Sequence, residues 1–291
     1  MSDPPAERDD EDLTALRGYA FSIAYRMLGS VHEAEDAVQD AYVKILRARP
    51  DEIGSKRGYV ATLVTRTCID RLRALARARE RYVGPWLPEP LLVEQDATET
   101  QPDSDTLSIA FIVVLESLSP IERAVFLLRE VFGYEHGEIA AIVERSEANV
   151  RQIAHRARDA VAARRPRFSI PPERKRRIGA EFVEALRRAD IGTMMSLMTD
   201  DVTLQTDGGG KAQAAVRPIA GADKVARFLI GISSTDYAGF PASINGQPGL
   251  VVTMDAAPVA AMTYDVREDR ISEIYIWTNP DKLSTVRGRS A

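Results

Sequence analysis

The chain has 291 residues, 45% of them hydrophobic and 28% charged, and a single cysteine, Cys68. This excludes an internal disulfide framework and a cysteine-built zinc site, and the length suits two or three domains. No run approaches the about 18 apolar residues of a membrane span, and the acidic opening MSDPPAERDDEDL lacks the apolar core of a signal peptide, so a soluble cytoplasmic protein is expected.

The net charge of −5 hides an uneven distribution. Residues 56–81 carry eight Lys and Arg, residues 144–167 carry seven Arg, and residues 83–108 between them carry six acids and no base. Two cationic patches on either side of an anionic tether suggest two contacts with a polyanion; two solvated helix faces are the alternative.

In chain order, Leu13, Leu16, Ala20, Ile23, Ala24 and Met27 form one stripe of a helix over 12–28, ended by Gly29 and Ser30. VHEAEDAVQDAYVKILRAR gives a second helix, with Ala34, Val38, Ala41 and Ile45 inward and Glu35, Asp36, Gln39 and Asp40 outward. After a loop at 50–55, a long helix runs from about Arg57 to Arg81 with arginines through its second half. A helical bundle with one acidic and one basic working surface is expected. GPWLPEPLLVEQDATETQPDSD, with four prolines, reads as a tether. Trp86 and Leu87 are out of place in a solvated tether and should dock somewhere. Residues 105–164 are helical again, with a turn at Gly133, a short helix at 136–143 and a helix N-capped by Ser146, which together form a helix-turn-helix. A second linker, RRPRFSIPPERKRR, follows. Beyond it come an amphipathic helix with Ile178, Phe182, Val183 and Leu186, a short helix IGTMMSLM, and strand-like runs DVTLQT, AQAAVRPI, PASING, GLVVTM, PVAAMTYDV and RISEIYIW, interrupted by a helix at 222–231. This order predicts an α+β domain with one curved antiparallel sheet.

AEDAVQDAYVKIL, TRTCIDRLR and LSPIERAVFLLREVFGYEHGEIAAIVERSEANVRQIAHRAR, in that order and spacing, resemble a bacterial sigma factor of the extracytoplasmic-function type with regions 2 and 4 only. The resemblance implies a region 2 bundle at 10–82 that grips core RNA polymerase and reads a melted −10 element. It also implies an acidic linker at 83–104 and a region 4 helix-turn-helix at 105–166 that reads a −35 duplex. Asp36, Gln39 and Asp40 share one helical face, and acids with an amide suit a cationic protein partner, which the resemblance makes core polymerase. Arg66, Thr67, Asp70, Arg71 and Arg73 fall in the family segment that captures an unstacked −10 base; Asp70 could equally form a local ion pair. On the recognition helix, Ser146, Asn149, Arg151, Gln152, His155 and Arg156 are the −35 candidates, since Arg and Gln suit guanine and adenine edges. His155 stands where the family often has an apolar or aromatic residue. Arg158, Arg164 and Arg165 suit phosphates.

Residues 173–291 resemble a SnoaL-like cone, and WLPEP, DGGGK and NPDKL look like hallmarks of sigma factors that carry one. A SnoaL-type enzyme needs a general acid or base in the cone. The three histidines, His32, His136 and His155, all lie earlier in the chain, leaving Asp201, Asp207, Asp236, Asp265 and Tyr264 with no recognisable pairing. No enzyme, cofactor or metal is therefore expected; a small-molecule ligand in the cone stays open as a partner. DGGGK fails as a phosphate loop: Gln205 stands where its first glycine should be, Ala212 follows Lys211, and both flanks are strand-like. A hairpin is expected, its thin glycines letting another segment approach and Asp207 and Lys211 fixing the register. The expected cis-regulatory contact comprises Trp86, Leu87, Pro88, Asp207, Gly208, Gly209, Gly210, Lys211, Asn279, Pro280 and Asp281, of a modest kind that leaves the fold intact when broken. The reading is thus an alternative sigma factor regulated in cis, with promoter DNA and core polymerase as partners. The rivals are a one-component helix-turn-helix regulator and an enzyme fused to a DNA-binding module.

Overall fold

The computed structural model describes residues 15–47, 55–93, 104–164, 170–233 and 236–287. The acidic opening, the loop before Ser55, the tether at 94–103 and Arg165 lie outside the described residues. By contact the chain forms two compact units, Met1–Ala78 with Val114–Arg164, and Arg79–Val113 with Arg165–Ala291. Helices α1 (Arg17–Leu28), α2 (Val31–Ile45), α3 (Lys56–Arg79), α4 (Ser104–Leu107), α5 (Ile109–Leu115), α6 (Pro120–Glu130), α7 (His136–Val143) and α8 (Glu147–Arg164) run through the first 164 residues.

In the first unit, the predicted stripes of α1 and α2 become core, with Ala20, Ile23, Ala24 and Met27 of α1 and Ala34, Val38, Ala41 and Ile45 of α2 buried; α3 adds Val60, Val64, Cys68 and Leu72. Ser30 starts α2 by accepting from the Glu33 N–H at 3.2 Å. Ser119 and Glu122 form a capping box on α6, and the Ser119 hydroxyl, then its backbone N–H, hold the Glu122 carboxyl below its usual range. The helix-turn-helix falls where predicted. Ser146 caps α8 by accepting from the Asn149 N–H at 3.3 Å, and Val125, Leu128, Ile139, Ile142, Val150 and Ile153 bury the inner faces of α6, α7 and α8.

The second unit adds α9 (Pro172–Arg187), α10 (Ile191–Ser196), β1 (Met198–Asp207), β2 (Ile219–Ala220), α11 (Ala222–Ile232), β3 (Ala238–Ile244), β4 (Gln247–Met254), β5 (Ala257–Arg267), β6 (Arg270–Trp277) and α12 (Ser284–Arg287). The sheet order is β2-β1-β6-β5-β4-β3. The antiparallel meander holds for β3 to β6 and for β1 with β2; β1 joins β6 in parallel, a pairing absent from the sequence reading. Side chains alternate between two buried faces, apart from register shifts between Met198 and Thr203, Val252 and Thr253, and Asp265 and Val266. Leu250, Met262, Ile274 and Ile276 pack with Ile178, Phe182, Met194 and Val225. Val251, Ala261, Tyr275 and Trp277 share a second cluster with Leu87, Ile109 and Ala110 of the region before the domain and with Leu283 and Val286 after the last strand.

One predicted strand is absent. Residues 212–218 of AQAAVRPI form no strand, and only Ile219–Ala220 pairs with β1. The loop instead folds back on itself: the Gly208 carbonyl accepts from the N–H groups of Lys211 and Ala212 at 2.9 and 3.1 Å, and the Ala215 N–H goes to the Thr206 hydroxyl at 2.7 Å. DGGGK is thus a closed turn at the end of β1, not the tip of a hairpin.

Candidate functional site

Asp207, the last residue of β1, is fully buried and gathers donors from distant parts of the second unit. The Tyr82 hydroxyl donates to its Oδ1 at 2.5 Å; the Leu87 N–H and the Lys282 ammonium reach Oδ2 at 2.9 and 2.7 Å. Lys282 also donates to the Leu87 carbonyl and lies 4.2 Å from the Trp86 ring, whose other cation neighbour, Arg79, is at 3.9 Å. Burial pulls the Lys282 ammonium below its ordinary value, and the Asp207 carboxylate opposes that pull. Burial, then the hydrogen bond to Asp207, pushes the Tyr82 phenol up.

The rest of the segment is fixed along its length. Trp277 Nε1 donates to the Pro88 carbonyl at 2.7 Å and the Thr285 hydroxyl to the Pro90 carbonyl at 3.0 Å. Asn245 takes the Leu91 N–H on its Oδ1 at 2.9 Å, gives its own N–H to the Leu91 carbonyl at 2.7 Å and its Nδ2 to the Leu107 carbonyl at 3.0 Å. Leu92 bridges to Ile244, extending the free edge of β3. Leu87 is fully buried, which contributes about 1.5–3 kcal/mol.

The glycines have steric reasons. A Cβ at Gly209, whose φ is +58°, would lie 2.3 Å from Asn279 Nδ2 and 2.9 Å from the Tyr82 hydroxyl. One at Gly208 would meet the Ala212 carbonyl oxygen at 2.4 Å. Asn279 Nδ2 donates to the Tyr82 hydroxyl at 2.9 Å, while Gly210 faces Val83. The expected pairing of Asp207 and Lys211 as joint register-setters needs correction: Lys211 pairs with the exposed Asp281 at 2.5 Å, next to the exposed Pro280. Nothing local in the sequence marks Tyr82, Lys282 or Asn245 as members of this contact, although Lys282 stands within NPDKL.

In the first unit, Gln39 and Asp40 are exposed and Asp36 is half-buried. Arg71 lies against this row, 2.7 Å from Glu33 and Asp40 and 3.7 Å from Asp36, so the acidic and basic surfaces meet instead of standing apart. Asp70 forms its local ion pair, with Arg73 at 3.1 Å. Thr67 is buried and accepts from Lys44 at 3.5 Å. Arg66 is drawn to the end of α7, with Nε 2.9 Å from the Ile142 carbonyl. Along α8, Asn149, Gln152 and Arg156 are exposed, Arg151 pairs with Glu147 at 2.5 Å and His155 with Asp159 at 2.8 Å. Arg158, assigned to phosphate from the sequence, is tied to Glu130 at 2.6 Å; Arg164 is exposed.

Residues 13–78 match the family Sigma-70 region 2, and residues 108–161 match Sigma-70, region 4. The ECF RNA polymerase sigma factor SigJ of Mycobacterium tuberculosis (strain ATCC 25618 / H37Rv) is 35% identical over 292 residues, covering 94% of this chain and 92% of its own. The chain belongs to the ECF RNA polymerase sigma factors. The crystal structure of the Mycobacterium tuberculosis extracytoplasmic function sigma factor SigJ matches this ECF sigma factor with a TM-score of 0.76 at 33% identity, covering 93% of this chain and 96% of that one. The probable ECF RNA polymerase sigma factor SigI of Mycobacterium tuberculosis (strain CDC 1551 / Oshkosh) is 28% identical over 277 residues, 94% of each chain.

The chain is therefore an alternative sigma factor, and its family consists of transcription initiation factors. The one-component regulator and the fused enzyme leave the region 2 match unexplained. Within this ECF sigma factor, the acids considered for catalysis are not gathered: Asp201 pairs with Arg267 at 2.5 Å, Asp207 serves the contact above, Asp236 is exposed, Asp265 lies 3.9 Å from Lys175, and Tyr264 donates to the Lys175 carbonyl at 3.1 Å. One face of the sheet is filled by packed apolar side chains, and a recess of about 180 Å³ opens elsewhere, between Val83, Gly84 and the glycine loop. Among the described residues no helix is long and apolar enough to cross a membrane.

Proposed function

We propose that this ECF sigma factor binds core RNA polymerase and promoter DNA, and that its C-terminal domain regulates it in cis by holding residues 82–93. One observation carries the regulatory part: the buried Asp207 carboxylate, bound at once by Tyr82, by the Leu87 N–H and by Lys282. A linker between two DNA-reading modules has to change its path for them to meet differently spaced elements. Fixing it by these side-chain and backbone bonds biases which path is populated.

In this reading Asp36, Gln39 and Asp40 face core polymerase; Arg66, Thr67, Asp70, Arg71 and Arg73 serve the −10 strand; and Asn149, Arg151, Gln152, His155 and Arg156 serve the −35 duplex, with Ser146 setting the start of their helix. The fit is best for exposed Gln39, Asn149, Gln152 and Arg156. The test is run-off transcription with purified core polymerase on promoters whose −10 to −35 spacing is varied. The unaltered chain should initiate from a narrow range of spacings, and Asp207→Asn should broaden or shift that range. An identical spacing profile for both would remove the regulatory role, and no promoter-dependent transcript from either would remove the polymerase reading.

A further inference from the structure

Arg66 offers all three guanidinium nitrogens to the helix-turn-helix of the first unit. Nε donates to the Ile142 carbonyl and Nη2 to the Ala141 carbonyl, both at 2.9 Å, and Nη1 lies 2.9 Å from the Glu144 carboxylate. These carbonyls belong to the last turn of α7, where carbonyls have no partner within the helix and carry the negative end of its dipole. Glu144 then closes the helix with a φ of +55°. A second arginine makes the same kind of contact in the opposite direction. Arg123 of α6, 2% exposed, donates to the Met27 carbonyl in the last turn of α1 at 2.7 Å and is held by Glu116 at 2.8 Å. Between them the hydroxyls of Tyr19 and Tyr134 are 2.7 Å apart, and the Tyr19 ring meets Phe132 edge-on.

We infer that these reciprocal contacts form a latch between the region 2 and region 4 modules, in which the end of α7 and a DNA strand compete for the Arg66 guanidinium. The inference rests on the assignment of Arg66 to the −10 strand made above. A guanidinium with a carboxylate and two helix-terminal carbonyls has its charge neutralised and three of its five N–H donors taken, including the Nε/Nη2 edge. Phosphate or a base edge gains that bidentate edge only by displacing the two carbonyl oxygens. The free chain is then a weak DNA binder because its own helix-turn-helix occupies the site, and an encounter that separates the two modules exposes Arg66.

The test uses the full chain and a labelled single-stranded −10 oligonucleotide, read by fluorescence anisotropy and paired with small-angle scattering. Tyr134→Phe with Glu144→Gln removes one hydroxyl contact and one charged arm while leaving Arg66 in place. Glu144 is an exposed side chain, and a Glu144→Gln single variant stands in should the double variant fold poorly. Opening the latch should tighten oligonucleotide binding roughly 3- to 10-fold, the equivalent of one or two lost hydrogen bonds, and raise the radius of gyration. An unchanged radius with unchanged affinity overturns the latch; a larger radius with unchanged affinity overturns the masking. Arg66→Ala made in the opened background tests the DNA assignment separately. If it leaves affinity unaltered, Arg66 is no DNA contact, whatever the scattering shows.

Discussion

Asp207 and Lys282, 75 residues apart, form an ion pair of 2.7 Å in which the aspartate is fully buried and the lysine 6% exposed. Taking both charges out of water costs several kcal/mol per ion, and the attraction offsets this only when the remaining lone pairs and protons are also satisfied. Here the Tyr82 hydroxyl and the Leu87 N–H serve the carboxylate, while the Leu87 carbonyl and the Trp86 ring serve the ammonium. The glycine loop is therefore integral to the second unit, and the expectation of a modest surface contact that leaves the fold untouched does not hold at Asp207.

Removing one partner leaves the other charge buried alone. Asp207→Ala should destabilise the second unit by about 3–5 kcal/mol, lowering its thermal midpoint by on the order of 10 °C. Asp207→Ala combined with Lys282→Met should recover part of that loss. Differential scanning calorimetry checks this; equal midpoints for the original chain and Asp207→Ala would show that the pair contributes nothing.

Tyr82 gives a dependence on alkaline pH. An unfolded phenol ionises near pH ~10, whereas burial and the Asp207 hydrogen bond hold the native one protonated to higher pH. Above the unfolded value the native state keeps a proton that the unfolded state has lost, so the stability this group provides below pH ~10 falls as pH rises towards the native value. Urea midpoints at pH 8 and pH 11 should therefore drop further for the original chain than for Tyr82→Phe. Equal drops would mean that Tyr82 is not held in this way.

On α8, base reading should separate from phosphate binding. Arg151→Ala should relax preference at one −35 position by roughly 1–3 kcal/mol, while Arg164→Ala should weaken binding to every sequence and reduce its salt dependence. Equilibrium binding to a panel of single-position −35 variants distinguishes the two; uniform weakening by Arg151→Ala would place that side chain on the backbone.

The α2 face is best probed at Gln39, because Asp36 and Asp40 also serve Arg71. Gln39→Arg adds a cation to the exposed row without removing either acid. It should weaken the complex with core polymerase by slowing its formation, most at low salt. Co-elution indistinguishable from that of the original chain would move the polymerase contact elsewhere.

Local signals in the sequence translated well into structure. Ser146 marked a helix start because an N-cap hydroxyl accepts from a first-turn N–H, and the apolar stripes of α1 and α2 marked a core because period and burial are linked; Ser30, expected only to help end α1, also caps α2. Trp86 and Leu87 were readable as oddities, since a tether has no use for indole, and the triple glycine as a loop thin enough for another segment to approach. What they touch was not readable. Lys282 in NPDKL looks like a solvated lysine until Asp207 is placed beside it, and Asn245 hides inside a strand-like run although its φ of +53° belongs to a turn. The parallel pairing of β1 with β6 escaped for the same reason, as it joins strands that are not neighbours in the chain. Residues 212–218 looked like a strand because Ala212, Ala214 and Val216 recur at every second position. The Thr206 hydroxyl took up the Ala215 N–H, and no ladder formed.

Amide hydrogen exchange at the linker tests the central claim most directly. In the full chain the N–H groups of Leu87, Leu91 and Val93 bond to Asp207, Asn245 and Ser243 at 2.9, 2.9 and 3.0 Å, and should exchange slowly. Gly209→Ala pushes a methyl to within 2.3 Å of Asn279 Nδ2 at a left-handed position and should loosen the turn that presents Asp207. Protection at Leu87 should then fall at least 10-fold, with smaller losses at Leu91 and Val93, for a loss of about 1.4 kcal/mol or more in local opening. Rapid exchange of all three amides in the unaltered chain, or equal protection in the two proteins, would contradict a linker held by the C-terminal domain.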